Sequence, residues 1–159
     1  MKILIVSDTH GRHENLRTII NKVKPFDMLL HCGDVEGGED MIRELAGCET
    51  KIVAGNNDFF TDLPRELEFD VQGHHVFMTH GNTYNVSLGP ERIAEEGASR
   101  DADIVLCGHT HKPAVENIGG VKVVNPGSVS YPRQDGRNPS YIIWEFDQNG
   151  TPFFGVNYL

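Results

Sequence analysis

The stretch Lys2-Ile3-Leu4-Ile5-Val6-Ser7-Asp8-Thr9-His10-Gly11 decides the architecture of this chain. Ile3 to Val6 form a short apolar run with the length of a buried strand, and the polar, glycine-ended segment after it reads as a loop. Leu16, Ile19, Ile20 and Val23 then recur at i, i+3, i+4 and i+7, which is one face of a helix, and Pro25 ends it. The same order returns with a strand over 27–32, a helix around Met41, Ile42, Leu45 and Ala46 closed by Gly47, and a strand over 51–54. A βαβαβ series predicts a parallel sheet in the first third of the chain.

After Phe60 the pattern changes to hairpins. Strands over 66–71 and 74–79 flank Gln72-Gly73, those over 113–118 and 121–125 flank Gly119-Gly120, and those over 141–146 and 152–158 flank Asn149-Gly150. One helix, with Pro90 near its start and Ile93 and Ala94 inward, precedes a strand over 103–107. The expected fold is α/β (α+β in some schemes): one domain over 1–159, built as a four-layer α-β-β-α sandwich of two mixed sheets.

At 159 residues, with 38% hydrophobic and 23% charged, the chain can bury a real core. A formal net charge of −9 without a basic cluster argues against general nucleic-acid or acidic-membrane binding. An acidic protein can still act on an anion if bound cations invert the local charge. The apolar run of Ile3 to Val6 is too short for a signal-peptide core, and no stretch approaches membrane-spanning length, so a cytoplasmic location is expected. Cys32, Cys48 and Cys107 are odd in number and form no CxxC pair, which points to core thiols and not to disulfides or a thiolate zinc site.

Five segments, each directly after an expected strand, hold the residues with chemistry: Asp8-Thr9-His10, Gly33-Asp34, Gly55-Asn56-Asn57-Asp58, His80-Gly81 and Gly108-His109-Thr110-His111. Sites in open α/β sheets form outside the carboxyl ends of strands, so these segments can converge. The i, i+2 spacing of Asp8/His10 and His109/His111 would point both side chains the same way in an extended chain, and the neighbouring glycines would leave room for an ion. Carboxylate, imidazole and amide oxygen donors without thiolate suit borderline-hard divalent ions. Seven ligands, Asp8, His10, Asp34, Asn56, His80, His109 and His111, are too many for one tetrahedral zinc and fit a pair of ions. Singly, each of these short motifs is an ordinary turn or a surface histidine; their joint order carries the argument.

These residues resemble the calcineurin-like metallophosphoesterases, whose pattern is D-x-H, G-D, G-N-[HC]-[DE], H and G-H-x-H. The SDTHG opening, the HCGD segment and Asn125-Pro126-Gly127-Ser128 followed by Pro132-Arg133 are similar to the small prokaryotic YfcE-like phosphodiesterases. The resemblance implies a phosphodiesterase in which Asp8, His10 and His111 hold one ion, Asn56, His80 and His109 hold the other, and Asp34 bridges them. It also implies in-line attack on phosphorus by a hydroxide shared between the metals. Manganese is the first expectation for the two ions, with iron, zinc, nickel or cobalt as alternatives. A phosphate-ester small molecule is the expected partner, with no membrane partner, and a homo-oligomer remains open.

Catalytic roles extend in this reading to Asp34, Asn56, Asn57, Asp58 and His13, with Asp58 orienting a ligand histidine or its loop and His13 touching substrate or a proton-transfer chain. Arg12, Asn57, Ser128 and Arg133 are candidates for substrate binding. His31 is expected to be packed, and His74 and His75 to be exposed on a strand. One departure matters: where many relatives place a histidine that protonates the leaving group, this chain has Asn57, a neutral amide that is no useful acid. Asn82 likewise replaces a second histidine found in relatives. The competing reading is a catalytically weak scaffold of the same fold, like the retromer subunit related to this family; it predicts ligand loss, and all seven positions here carry suitable residues.

Overall fold

A computed structural model describes residues 1–159. β1 (Lys2–Val6), α1 (Glu14–Val23), β2 (Met28–His31), α2 (Glu39–Ala46) and β3 (Glu49–Ile52) run in the expected βαβαβ order. β4 (Glu66–Val71) and β5 (His74–Thr79) form the first hairpin, and α3 (Glu91–Ser99) leads into β6 (Ile104–Leu106). β7 (Pro113–Ile118), β8 (Val121–Pro126), β9 (Ser140–Phe146) and β10 (Pro152–Tyr158) complete the chain.

The first sheet has the order β10-β9-β1-β2-β3, with β1, β2 and β3 parallel, β9 antiparallel to β1 and β10 antiparallel to β9. The second has the order β4-β5-β6-β8-β7, with a parallel centre of β5, β6 and β8 and antiparallel outer strands. Alternation along β1 sorts the layers. Ile3 and Ile5 face the second sheet and pack with Leu30, Met78, Leu106 and Trp144, whereas Leu4 and Val6 face Leu16, Ile19 and Ile20 of α1 and Ile42 of α2. On the far side, Ile93 and Ala94 of α3 cover Phe77, Val105 and Val123 of the second sheet. Three apolar seams therefore separate four layers, α-β-β-α, as the sequence pattern predicts.

Two local features depart from the sequence reading. β3 begins and ends two residues before the expected span, because Ala54 leaves the sheet and donates its N–H to Pro64 O at 2.8 Å. Two short 3-10 turns, Asn82–Tyr84 and Val86–Leu88, occupy a segment without apolar periodicity. No helix is long and apolar enough to cross a membrane.

Candidate metal centre

The strands β1, β2, β3, β5 and β6 each run into one of the five polar segments, so the carboxyl ends of both sheets meet at one place. The chain there is not extended. Asp8, His10, Asp34, His109 and His111 have φ of +56°, +48°, +53°, +70° and +59°, in the left-handed region that residues with a Cβ rarely adopt. The convergence of Asp8 with His10, and of His109 with His111, thus comes from paired left-handed residues that turn the loop, not from strand alternation. Such conformations cost roughly 1 kcal/mol or more each and persist where surrounding bonds fix them. Here the Asp8 N–H donates to Gly33 O at 3.0 Å, the His10 N–H to Asp34 O at 2.9 Å, and Ser128 Oγ to Asp8 O at 2.8 Å.

The glycines also serve a different purpose from the one expected. A Cβ on Gly55 would overlap the Asp34 carboxylate, and one on Gly108 would overlap the Ser7 hydroxyl and the Asp8 carboxylate. They make room for the neighbouring acids themselves.

Asp8 Oδ1 lies 3.0 Å from His111 Nε2, 3.6 Å from His10 Nε2 and 3.8 Å from His80 Nε2. Asp34 Oδ2 lies 3.3 Å from His80 Nε2 and 3.8 Å from His10 Nε2. The far ring nitrogens fix the tautomers: His80 Nδ1 donates to Cys32 O at 2.7 Å and His111 Nδ1 to Tyr131 O at 2.6 Å. Both Nε2 atoms therefore carry lone pairs. His10 Nε2 stands 3.2 Å from His111 Nε2, and its Nδ1 stands 3.4 Å from Glu36 Oε1. Asp8 Oδ1 and His80 Nε2 are buried with no hydrogen-bond partner. Lone pairs aimed into one small, water-poor space repel each other unless a cation lies among them. Two groups satisfy the spacing for an ion, Asp8 with His10 and His111, and Asp8 with Asp34 and His80. His109 packs edge-on to His80, with Nδ1 3.1 Å from Asn56 Oδ1 at the exposed rim.

Residues 1–149 match the calcineurin-like phosphoesterase superfamily domain. The chain belongs to that superfamily. It is 33% identical over 95% of its length to a probable metallophosphoesterase of Bacillus subtilis, covering 88% of that protein. It is 30% identical over 80% of its length to a phosphodiesterase of Methanocaldococcus jannaschii, covering 83% of it. Among solved structures, a Streptococcus pneumoniae protein described as a predicted phosphoesterase superposes with a TM-score of 0.82 at 28% identity, over 99% of this chain and 88% of that one. Zinc-complexed Vps29 of Entamoeba histolytica shares the fold, with a TM-score of 0.78 at 22% identity over 99% of both chains.

The electrostatics of this phosphoesterase-superfamily site keep its acids ionised. Burial works to raise the Asp8 carboxyl, but the imidazoles of His10, His111 and His80 gathered around it more than offset that and hold it far below the usual carboxylate range. Asp34 settles at about 2, where burial is opposed by His80 and by two bonds from Asn57. His10 is raised, first by the Asp8 carboxylate beside it, and His80 is raised because Asp34 and Asp8 outweigh its burial. His109 is lowered by burial and by the neighbouring His80.

The remaining candidates divide between the cleft and its supports. Asp58 is buried and accepts the N–H groups of Glu36 and Gly55, both at 2.7 Å, and of Val35 at 3.3 Å, so it clamps the Gly33–Asp34 loop to the Gly55 loop and bonds to none of the candidate histidines. Ser128 is fully buried with its hydroxyl committed to Asp8 O, which removes it from substrate binding and makes it a backbone support. His13 turns Nε2 to Gly37 O at 2.9 Å and stands outside the Asp/His cluster. Arg12 lies over the Tyr131 ring, while Arg133 lines the cleft beside His10 and His111. His31 is packed as expected: Nδ1 accepts from the Gly33 N–H and Nε2 donates to Thr9 Oγ1, tying two ligand loops together. His74 and His75 are half-buried, paired with Asp103 and Asp70, and not free surface residues. Sequence reasoning missed Glu36, Tyr131 and Arg137, which also line the cleft; they stand on loops, and no periodicity or motif marks them.

Proposed function

We propose that this chain is a dinuclear phosphodiesterase. Asp8, His10 and His111 hold one divalent ion, Asn56, His80 and His109 hold the other, and Asp34 lies between them. The supporting observation is the pair of buried, unpartnered atoms Asp8 Oδ1 and His80 Nε2, surrounded by imidazole lone pairs whose directions are fixed by bonds on the opposite ring nitrogen. Buried lone pairs without a partner cost desolvation free energy that a bound cation offsets. The donor set of oxygen and nitrogen without sulfur suits manganese, iron, zinc, nickel or cobalt.

Ions bound there supply Lewis acidity and water that loses a proton near neutral pH. The protein supplies the geometry. Asn57 holds the Asp34 carboxylate, Cys32 O and Tyr131 O orient His80 and His111, and Asp58 fixes the loop that carries Asp34. With its amide turned onto Asp34, Asn57 offers the leaving group no proton, so diesters with good leaving groups are the favoured class. The test is metal analysis of the purified protein together with hydrolysis of bis(p-nitrophenyl) phosphate in added manganese. Two ions per chain with turnover are expected; a protein that takes up no ion and hydrolyses nothing would return the scaffold reading to first place.

A further inference from the structure

The central cleft is lined by His10, Glu36, His111, Tyr131, Arg133 and Arg137, and two further grooves adjoin it. Glu36 borders both it and a groove over the 57–64 loop, and Arg133 borders both it and a groove between the 86–90 segment and the β7–β8 hairpin, so one side chain separates the cleft from each. Glu36 contacts the His10 ring at 3.4 Å, and the Arg133 N–H donates to His111 O at 2.9 Å, so both branches leave directly from histidines of the proposed centre. A phosphodiester has two organic arms on one phosphorus. We propose that the two grooves seat the two arms of an asymmetric phosphodiester, an aromatic arm over Phe59 and Phe60 and an anionic arm beside Lys112 and Arg133. This rests on the phosphodiesterase function proposed above and names its substrate class.

The first groove is acidic and aromatic. Phe59 and Phe60 follow the Asn56-Asn57-Asp58 loop directly and stand 73% and 110% exposed. Phe60 also has φ of +52°, an outlier for a bulky side chain, and no packing in the protein accounts for either its exposure or its conformation. The groove is lined by Glu36, Glu39, Asp40, Asp58 and Asp62 against Arg43 alone, whose guanidinium donates to Thr50 O. Such a surface stacks a flat, uncharged or cationic ring and repels an anion.

The second groove has the opposite character. Val86, Leu88, Ala114 and Val123 provide apolar wall, and Lys112 and Arg133 outnumber Glu116. The ion pairs of this protein's lysines and arginines use Lys51 and Arg100, which leaves Lys112 and Arg133 free of any carboxylate partner. Their backbones are tied to the ligand loop, Lys112 N to Thr110 Oγ1 at 3.2 Å and Arg133 N to His111 O, so their placement relative to the histidines is fixed. A diester bound the wrong way round would set its anion among the five carboxylates of the first groove. That repulsion selects one orientation, and hence one arm as leaving group.

The test compares p-nitrophenyl methyl phosphate with p-nitrophenyl carboxypropyl phosphate, which release the same phenol and differ in the second arm. Wild type should show a KM about two- to fivefold lower for the carboxypropyl ester, the size of one exposed ion pair. Lys112→Glu should erase or reverse that ratio, whereas Lys122→Glu, the same charge change on β8 outside both grooves, should keep it. Phe60→Ser should raise KM for both esters about two- to tenfold with little change in kcat. Equal KM values in wild type, or a preference that survives Lys112→Glu, would overturn the arm assignment. Calorimetric affinities of the matching non-hydrolysable methylene phosphonates give the same ratios without turnover. Loss of hydrolysis alone therefore counts against the phosphodiesterase reading, and equal phosphonate affinities count against this one.

Discussion

Asn57 holds both oxygens of the Asp34 carboxylate, its backbone N–H on Oδ1 and its side-chain Nδ2 on Oδ2, each at 2.8 Å. Removing the side-chain donor leaves one bond of the two, so the carboxylate gains freedom to rotate away from His80. Asn57→Ala should weaken divalent-ion affinity about tenfold, in the range found when a group supporting a metal ligand is lost. Titration with manganese under anaerobic, chelator-buffered conditions measures this. Wild-type affinity in the variant would show that the backbone bond suffices.

Asp58 is 4% exposed and takes three backbone N–H groups, two on Oδ2 and one on Oδ1. Asp58→Asn must turn an NH2 toward at least one of those donors. The expected loss is about 2–3 kcal/mol of stability, or about 4–12 °C in Tm for a chain of this size. Differential scanning calorimetry in excess chelator separates this from any change in ion binding; an unchanged Tm would mean that the two loops do not depend on the clamp.

The sequence carried the four-layer order because its signals are local. Gln72-Gly73 and Gly119-Gly120 bound hairpins whose strands start and stop where alternation does. That β9 lies against β1, with Ile3 opposite Trp144, is a pairing across most of the chain that no local pattern encodes. The same division holds at the site. Residue types and order mark Asp8, His10, Asp34 and the three later histidines, but the left-handed backbone that brings them together is imposed by long-range bonds such as Asp8 N–H to Gly33 O. Ser128 was misread for the same reason: a serine beside a motif looks available until its hydroxyl is found under Asp8.

His31 is fully buried, and burial is the first cause of its fall from 6.5 to about 4. The unfolded chain therefore binds a proton that the folded chain refuses between these values, and stability drops as pH falls through that window. The contribution is about 3 kcal/mol between about pH 7 and about pH 4. His31→Gln cannot titrate, so urea denaturation in excess chelator at about pH 7.5 and about pH 4.5 should show a smaller acid loss in the variant than in wild type. Parallel losses would assign acid sensitivity to other groups.

In the proposed centre, protons and metal ions compete for the same nitrogens. His10, beside Asp8, and His80, facing Asp34 and Asp8, are both raised above 6.5, so competition starts above that pH and strengthens as pH falls. Manganese affinity measured at about pH 8, 7 and 6 should decline with a slope approaching about two protons per centre. On the stability of the ion-free protein these two histidines act with the sign opposite to that of His31, because the folded state binds their protons more tightly than the unfolded chain does. A flat profile across this range would contradict imidazole ligation.

The two acids of the proposed centre should fail differently. Asp34 Oδ2 reaches one imidazole of each proposed ion, His80 at 3.3 Å and His10 at 3.8 Å, and Asn57 anchors it there. Asp8 Oδ1 is closest to His111, at 3.0 Å, and then to His10, at 3.6 Å, both ligands of the same ion. If Asp34 bridges the proposed ions, Asp34→Ala deletes the oxygen common to both coordination spheres, and Ala supplies none in its place. It should release both ions and lower kcat/KM for bis(p-nitrophenyl) phosphate by at least about 100-fold. Asp8→Ala should preferentially empty the His10/His111 position and leave one ion on Asn56, His80 and His109. Elemental analysis after dialysis against dilute manganese counts the ions, and circular dichroism checks that each variant remains folded. Asp8 Oδ1 also stands 3.8 Å from His80, so an Asp8→Ala protein that lost both ions while Asp34→Ala kept one would exchange the two roles. Asp34→Ala retaining two ions at wild-type affinity would remove Asp34 from between them altogether.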